Sequence, residues 1–101
     1  MITLAIGAEQ RPADLADEEW INQQIDRRRA DGQNVCVTVT VDQGGVNMVL
    51  STPGCHSGSS GRRPRAKERE LFDLWGQAGL NDPQFAGANV MTFLKRLRSL
   101  V

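Results

Sequence analysis

The amino-acid sequence predicts an α+β fold in which helices cover one face of a three-stranded sheet. The prediction rests on two stretches of alternating apolar residues, the second interrupted by a glycine-rich turn, and on apolar residues at helical spacing elsewhere. The expected order of elements is β-α-β-β-α-α, which assembles into a two-layer sandwich. A length of 101 residues suits a single domain spanning 1–101.

The first strand is predicted by the segment ITLAI, whose three aliphatic side chains share one face. Pro12 indicates a connecting loop after this strand. Asp14 or Asp17 is then expected to cap the first helix, because a carboxylate accepts hydrogen bonds from amides that have no partner within the helix.

The first helix is predicted to lie on the surface with one narrow face buried. Acidic residues at its start and Arg27, Arg28 and Arg29 at its end both suit the helix dipole, and Gly32 is placed to end it. Its apolar stripe is thin and consists of Leu15, Trp20, Ile21 and Ile25.

A β-hairpin is predicted by the segment VCVTVTVDQGGVNMVLS, in which β-branched valines alternate with polar residues. The glycines of DQGG tolerate positive φ and indicate the turn. If Val41 faces Val46, all the paired apolar residues share one side, and a slip of two residues preserves this arrangement. The opposite face is mostly polar, with Val49 as its exception.

Two C-terminal helices are predicted by apolar residues at helical spacing. Gly79 is placed to end the first, and Asn89 is expected to cap the second. The segment between them contains Asp82 and Pro83, which are typical of a turn or of a helix start. The apolar stripes consist of Leu71, Leu74, Trp75 and Ala78 in one helix and Val90, Phe93, Leu94, Leu97 and Val101 in the other, whereas Phe72 is expected to be partly exposed.

The charge distribution is uneven although the net charge is zero. Residues 1–50 carry 4 basic and 8 acidic side chains, whereas residues 51–101 carry 8 basic and 4 acidic ones. Such a dipole can steer a charged partner, or it can allow copies of the chain to meet head to tail.

The cysteine content and hydropathy predict a cytoplasmic protein. Cys36 and Cys55 are too few for a disulfide framework, so both are expected to be reduced thiols. The start of the sequence, MITLAIG, lacks the basic lead and long apolar run of an export signal. No apolar stretch approaches the length of a membrane span, so no membrane contact is expected.

The segment GCHSGSSGRRPRAKERE is the candidate site. A flexible Gly/Ser/Arg loop is expected at about 53–64, directly before a helix whose N-terminal amides already carry partial positive charge. Basic residues there are electrostatically unfavourable, and a bound anion would relieve the conflict. The residues assigned to anion or nucleic-acid binding are Gly58, Gly61, Arg62, Arg63, Arg65 and Lys67.

Other interpretations of this segment remain open. Glycine-rich loops are usually mobile connectors, and exposed basic residues are usually solvated. The phosphate-binding loop of nucleotide hydrolases would need glycine at position 59, where Ser59 stands. Cys55 and His56 are a poor nucleophile and base because adjacent side chains rarely face each other, and with Cys36 they lack the spacing of a zinc site.

The function expected from the sequence is therefore that of a small non-enzymatic binding module. Its expected partner is nucleic acid or another anion such as phosphate, with no cofactor, metal or catalytic residue. The Arg27–Arg29 cluster and Lys95, Arg96 and Arg98 would extend the basic surface if the fold brought them near the loop. The alternative is a protein-interaction domain, including a homodimer, that uses the sheet edges, the polar sheet face or the oppositely charged halves.

Overall fold

The computed structural model describes residues 1–52, 55 and 65–101. The fold is α+β, as the sequence predicts, and its described part contains a four-stranded antiparallel sheet and three α-helices. The elements are β1 (Ile2–Ile6), β2 (Glu9–Pro12), α1 (Glu18–Ala30), β3 (Val37–Gln43), β4 (Val46–Ser51), α2 (Ala66–Gln77) and α3 (Gly87–Leu100), with a 3-10 turn at Ala13–Leu15.

The predicted three-stranded sheet is wrong by one strand, because β2 pairs with β1 at the edge of a sheet ordered β2-β1-β3-β4. Gly7, with φ of 60°, makes the tight turn between β1 and β2. Pro12 is tolerated because an edge strand does not need every amide for pairing. The guanidinium of Arg11 lies 4.6 Å from the centre of the Trp20 ring, which ties this short strand to α1.

The β3–β4 hairpin forms as predicted, but its register differs by two residues from the pairing of Val41 with Val46. Val41 instead faces Met48, and Gln43 faces Val46. Gly44 and Gly45, with φ of 62° and 80°, form a two-residue turn of the kind that matches strand twist. Because the slip is even, the apolar side chains stay together on one face.

The core lies between this aliphatic face and the helices. The sheet contributes Ile2, Leu4, Ile6, Val37, Val39, Val41, Val46, Met48 and Leu50, all buried. Trp75 and Phe93 are core residues, as predicted, and their rings meet edge to face at 5.1 Å. Leu15 was wrongly assigned to the buried stripe of α1, because it lies in the 3-10 turn before that helix and is 66% exposed.

The helix ends follow hydrogen-bonding rules. Asp17 caps α1 by accepting from the Trp20 amide at 2.8 Å. Gly32 and Gly79 adopt positive φ just beyond α1 and α2, as predicted. Asn89 was expected to be the cap residue of α3, but the helix begins earlier at Gly87, so Asn89 occupies the third helical position.

Asn89 connects the two C-terminal helices from that position. Its Oδ1 atom accepts from the Ala86 amide, and its Nδ2 atom donates to the Ala78 carbonyl oxygen, each at 2.8 Å. The contact between Ala78 and Asn89, together with that between Trp75 and Phe93, shows that α2 and α3 run antiparallel. The end of α3 therefore lies on the same side of the domain as the start of α2.

Among the described residues, none of the helices is both long enough and apolar enough to cross a membrane.

Replacing Gly45 tests the turn. We expect Gly45→Ala to lower the free energy of unfolding by about 1 kcal/mol, because an alanine Cβ is strained at positive φ. Gly45→Asn should lower the free energy of unfolding by less, since asparagine tolerates positive φ better than alanine does. Urea unfolding of both variants measures the difference, and an alanine variant as stable as the original chain would contradict the assigned turn. No atom lies within 4 Å of the added Cβ, so steric contact does not complicate the result.

Candidate functional site

The start of α2 is the described part of the predicted anion site. Arg65 occupies the N-cap position, and Lys67 lies in the first turn; both are exposed. A guanidinium group carries only donors, so Arg65 has no side-chain atom that can accept from the helix amides. This differs from α1, where the carboxylate of Asp17 fills that role.

Glu68 places a negative charge at the same helix end. Its Oε2 atom accepts from the Arg65 amide at 3.3 Å, and its side chain is 5% exposed. An acidic group in the first helical turn interacts favourably with the positive end of the helix dipole. Glu68 therefore offsets, within the chain itself, part of the positive charge that the sequence concentrates there.

The remaining residues of the predicted site, Gly58, Gly61, Arg62 and Arg63, lie outside the described residues, as does His56. Their assignment to anion binding stays a prediction from the sequence. Within the predicted site, the structure describes Arg65 and Lys67.

The arginines of α1 do not extend this basic surface. Arg29 donates to the Phe85 carbonyl oxygen at 2.6 Å, and its guanidinium lies 5.4 Å from the centre of the Phe85 ring. Phe85 shortly precedes α3, whose start meets the end of α2 through Asn89 and Ala78, so this contact lies at the opposite end of α2 from Arg65. The helix has 12 residues and is about 18 Å long. Arg28 donates to the Gln24 side chain and carbonyl oxygen.

The basic residues of α3 lie nearer to the start of α2, because the two helices are antiparallel. Arg98 is nevertheless engaged within the chain: it donates to the Ala13 carbonyl oxygen at 2.9 Å and lies 3.4 Å from an Asp14 oxygen. Lys95 and Arg96 are exposed on the same helix. Arg29 of α1 and Arg98 of α3 thus each join separate parts of the fold through a backbone carbonyl oxygen.

The sheet face that none of the described helices covers, called the open face below, is a second candidate surface. Alternate side chains of each strand point away from the helices, and strand pairing aligns these side chains into rows that cross the sheet. Two of the rows contain no charged side chain. The hydroxyl groups of Thr38 and Ser51 lie 3.2 Å apart and bond to each other. Val49 is 42% exposed on this face. The rows are Pro12, Thr3, Thr40 and Val49, and Gln10, Ala5, Thr38 and Ser51.

The expectation of two free thiols is wrong, because Cys36 and Cys55 form a disulfide with Cα atoms 5.4 Å apart. Hairpin pairing explains their proximity: Cys36 directly precedes β3, and Cys55 follows shortly after β4. In this oxidised form neither sulfur is a thiolate, so neither serves as a nucleophile or a zinc ligand. The described residues contain no group of three side chains suited to hold a metal ion.

Thr52 is the residue at this end of the hairpin that sequence reasoning missed. It is 3% exposed, and its Oγ1 atom accepts from the Val37 amide at 3.2 Å. The same hydroxyl lies 3.3 Å from Cys55 Sγ. A threonine at the end of a strand gives no sequence signal of such a role, because the role depends on the register and on the disulfide.

No protein-family model matches this chain, and neither the curated proteins nor the solved structures compared with it show significant similarity.

Removing Glu68 tests its role at the helix end. We expect Glu68→Ala to lower the free energy of unfolding by about 1–2 kcal/mol, because the helix loses both a hydrogen-bond acceptor and a favourable charge. Glu70→Ala, which removes an exposed carboxylate from the same helix, should change stability by less than about 0.5 kcal/mol. Chemical denaturation compares them, and equal losses would show that Glu68 acts only through net charge.

Proposed function

We propose that this chain is a non-enzymatic binding module that contacts an anionic partner, nucleic acid or a phosphate group, through the start of α2 and the basic segment before it. The observation that carries this proposal is the exposed pair of cations, Arg65 and Lys67, at a helix end whose cap residue has no acceptor group. Backbone amides and guanidinium groups together suit phosphate oxygens.

The internal contacts of other arginines support the choice of this end of the chain. Arg29 and Arg98 donate to backbone carbonyl oxygens, so their guanidinium groups already have hydrogen-bond partners within the chain. Glu68 reduces the unfavourable charge without covering Arg65 or Lys67, which both remain exposed. An anionic partner would complete the neutralisation that Glu68 begins.

Salt-dependent titration tests this proposal. Labelled single-stranded RNA and DNA should bind at low salt, with affinity falling as salt rises because bound phosphates release counterions. Arg65→Ala and Lys67→Ala should each reduce the slope of log affinity against log salt by about 1. Arg27→Ala is the matched control, since it removes an exposed charge at the far end of α1. Absence of binding at low salt, or equal effects of all three variants, would reject the proposal.

Self-association through the open sheet face is the second candidate function. It is supported by the two uncharged rows of that face, because uncharged surfaces of two copies can meet without desolvating an ion pair. Val49 supplies an exposed apolar side chain on this surface. A two-fold symmetric dimer would bring the same face of both copies together.

Sedimentation at several concentrations tests self-association. We expect a dimer whose population rises with concentration, and Val49→Lys should shift it to monomer because a charge would then be buried in the interface. Leu15→Lys is the matched control, since Leu15 is also exposed but lies in the 3-10 turn. A strict monomer at all concentrations would reject this candidate.

The disulfide bears on the cellular compartment in which the chain resides. The sequence favours the cytoplasm, whereas a disulfide such as Cys36–Cys55 persists most readily in a less reducing compartment. We propose a non-reducing setting for the disulfide form of the chain.

A further inference from the structure

We propose that the Cys36–Cys55 disulfide is a site of directed thiol–disulfide exchange, at which a low-molecular-weight thiol becomes attached to Cys36 while Cys55 departs as the thiolate. The position of the disulfide and the hydroxyl group of Thr52 support this assignment independently of the binding function proposed above.

The position of the disulfide makes it accessible at the open end of the β3–β4 hairpin. Both cysteines are partly exposed rather than buried. Exposed disulfides are attacked more readily than those enclosed in a core. The bond links residues 19 positions apart, and it lies beyond the last strand pair, Thr38 with Ser51. Its cleavage would therefore leave the strand ladder itself intact.

The two sulfur atoms differ in their surroundings because Thr52 lies beside one of them. The Thr52 hydroxyl is buried and accepts from the Val37 amide, which fixes its oxygen in place. Its single proton has two acceptors within reach: the Val35 carbonyl oxygen at 3.5 Å and Cys55 Sγ at 3.3 Å. A disulfide sulfur is a weak acceptor, so in the oxidised chain the carbonyl oxygen competes well for that proton.

Thiol–disulfide exchange changes which of the two acceptors takes the Thr52 hydroxyl proton. An incoming thiolate forms a bond to Cys36 Sγ, the bond between Cys36 and Cys55 breaks, and its electron pair remains on Cys55 Sγ. A thiolate is a far stronger acceptor than a disulfide sulfur, so the Thr52 proton turns toward it. The hydrogen bond strengthens as charge develops on Cys55, which makes Cys55 the better leaving group.

A second thiol completes the reduction. Its thiolate forms a bond to the sulfur of the attached small thiol, the bond from that sulfur to Cys36 Sγ breaks, and its electron pair remains on Cys36, which leaves as a thiolate while the small-molecule disulfide is released. Two external thiols thus supply the two electrons. Once Cys55 takes up a proton, its thiol can donate to the Val35 carbonyl oxygen, 3.7 Å from the sulfur.

Glutathione is the probe for the first step. The folded, oxidised chain is incubated with reduced glutathione, quenched with acid and an alkylating reagent, and mapped by peptide mass spectrometry. We expect glutathione on Cys36 and the alkyl group on Cys55 in an excess of more than about threefold over the reverse arrangement. A preference for Cys55, equal capture at both positions, or no mixed disulfide at either would overturn the proposal.

Variants of Thr52 distinguish directed exchange from accessibility alone. Thr52→Ser keeps the hydroxyl and should keep the preference for Cys36, whereas Thr52→Val should lose it; circular dichroism confirms that each variant is folded. An unchanged preference in folded Thr52→Val would overturn the proposal.

If Thr52→Val does not fold, the thiol pKa is measured in Cys36→Ser and Cys55→Ser instead. The Cys55 thiol should then have the lower pKa, and the opposite order would overturn the proposal.

Discussion

The fold depends on the burial of the aliphatic side of β3 between its two neighbouring strands. Val37, Val39 and Val41 are fully buried, and each is paired on both sides by aliphatic residues or by Thr52 at the hairpin end. A one-residue shift in the register of β3 would turn all three valines toward solvent. The burial of this face therefore determines which alternate residues of β3 point toward the helices. The helices then occupy the side on which the valines lie, and none of the described helices covers the polar side.

That arrangement divides the domain into two chemically different ends. One end holds the β3–β4 turn, the start of α2 and the end of α3, because Gly44 lies beside Val101. The other holds the disulfide, Thr52 and the Arg29–Phe85 contact, because Gly7 lies beside Arg28 and donates to the Cys36 carbonyl oxygen. The electrostatic features of α2 and the sulfur chemistry of the hairpin are therefore spatially separate. Among the described residues, the proposed contacts of Arg65 and Lys67 and the proposed exchange at Cys36–Cys55 therefore involve different side chains.

The elements with strong periodicity were predictable from the sequence, and the others were not. Alternating valines identified β3, Gly79 identified the end of α2, and Asp17 was one of two candidate caps of α1, because these signals are local. β2 was missed because an exposed edge strand buries no alternating apolar face. The pairing of Cys36 with Cys55 depends on hairpin register, which a pattern fixes only to within two residues. The burial of Glu68 depends on tertiary packing, which no local sequence pattern shows.

The two borders of the sheet also differ in a way that limits how copies of the chain could grow into larger assemblies. β2 carries Glu9, Arg11 and a terminal Pro12, all of which hinder the addition of another strand, whereas β4 contains neither charge nor proline. Of the two described edge strands, β4 is therefore the one whose composition is compatible with pairing to another strand. In two copies paired along β4, the remaining described edge of each sheet would be β2, whose charges and proline disfavour growth into a filament.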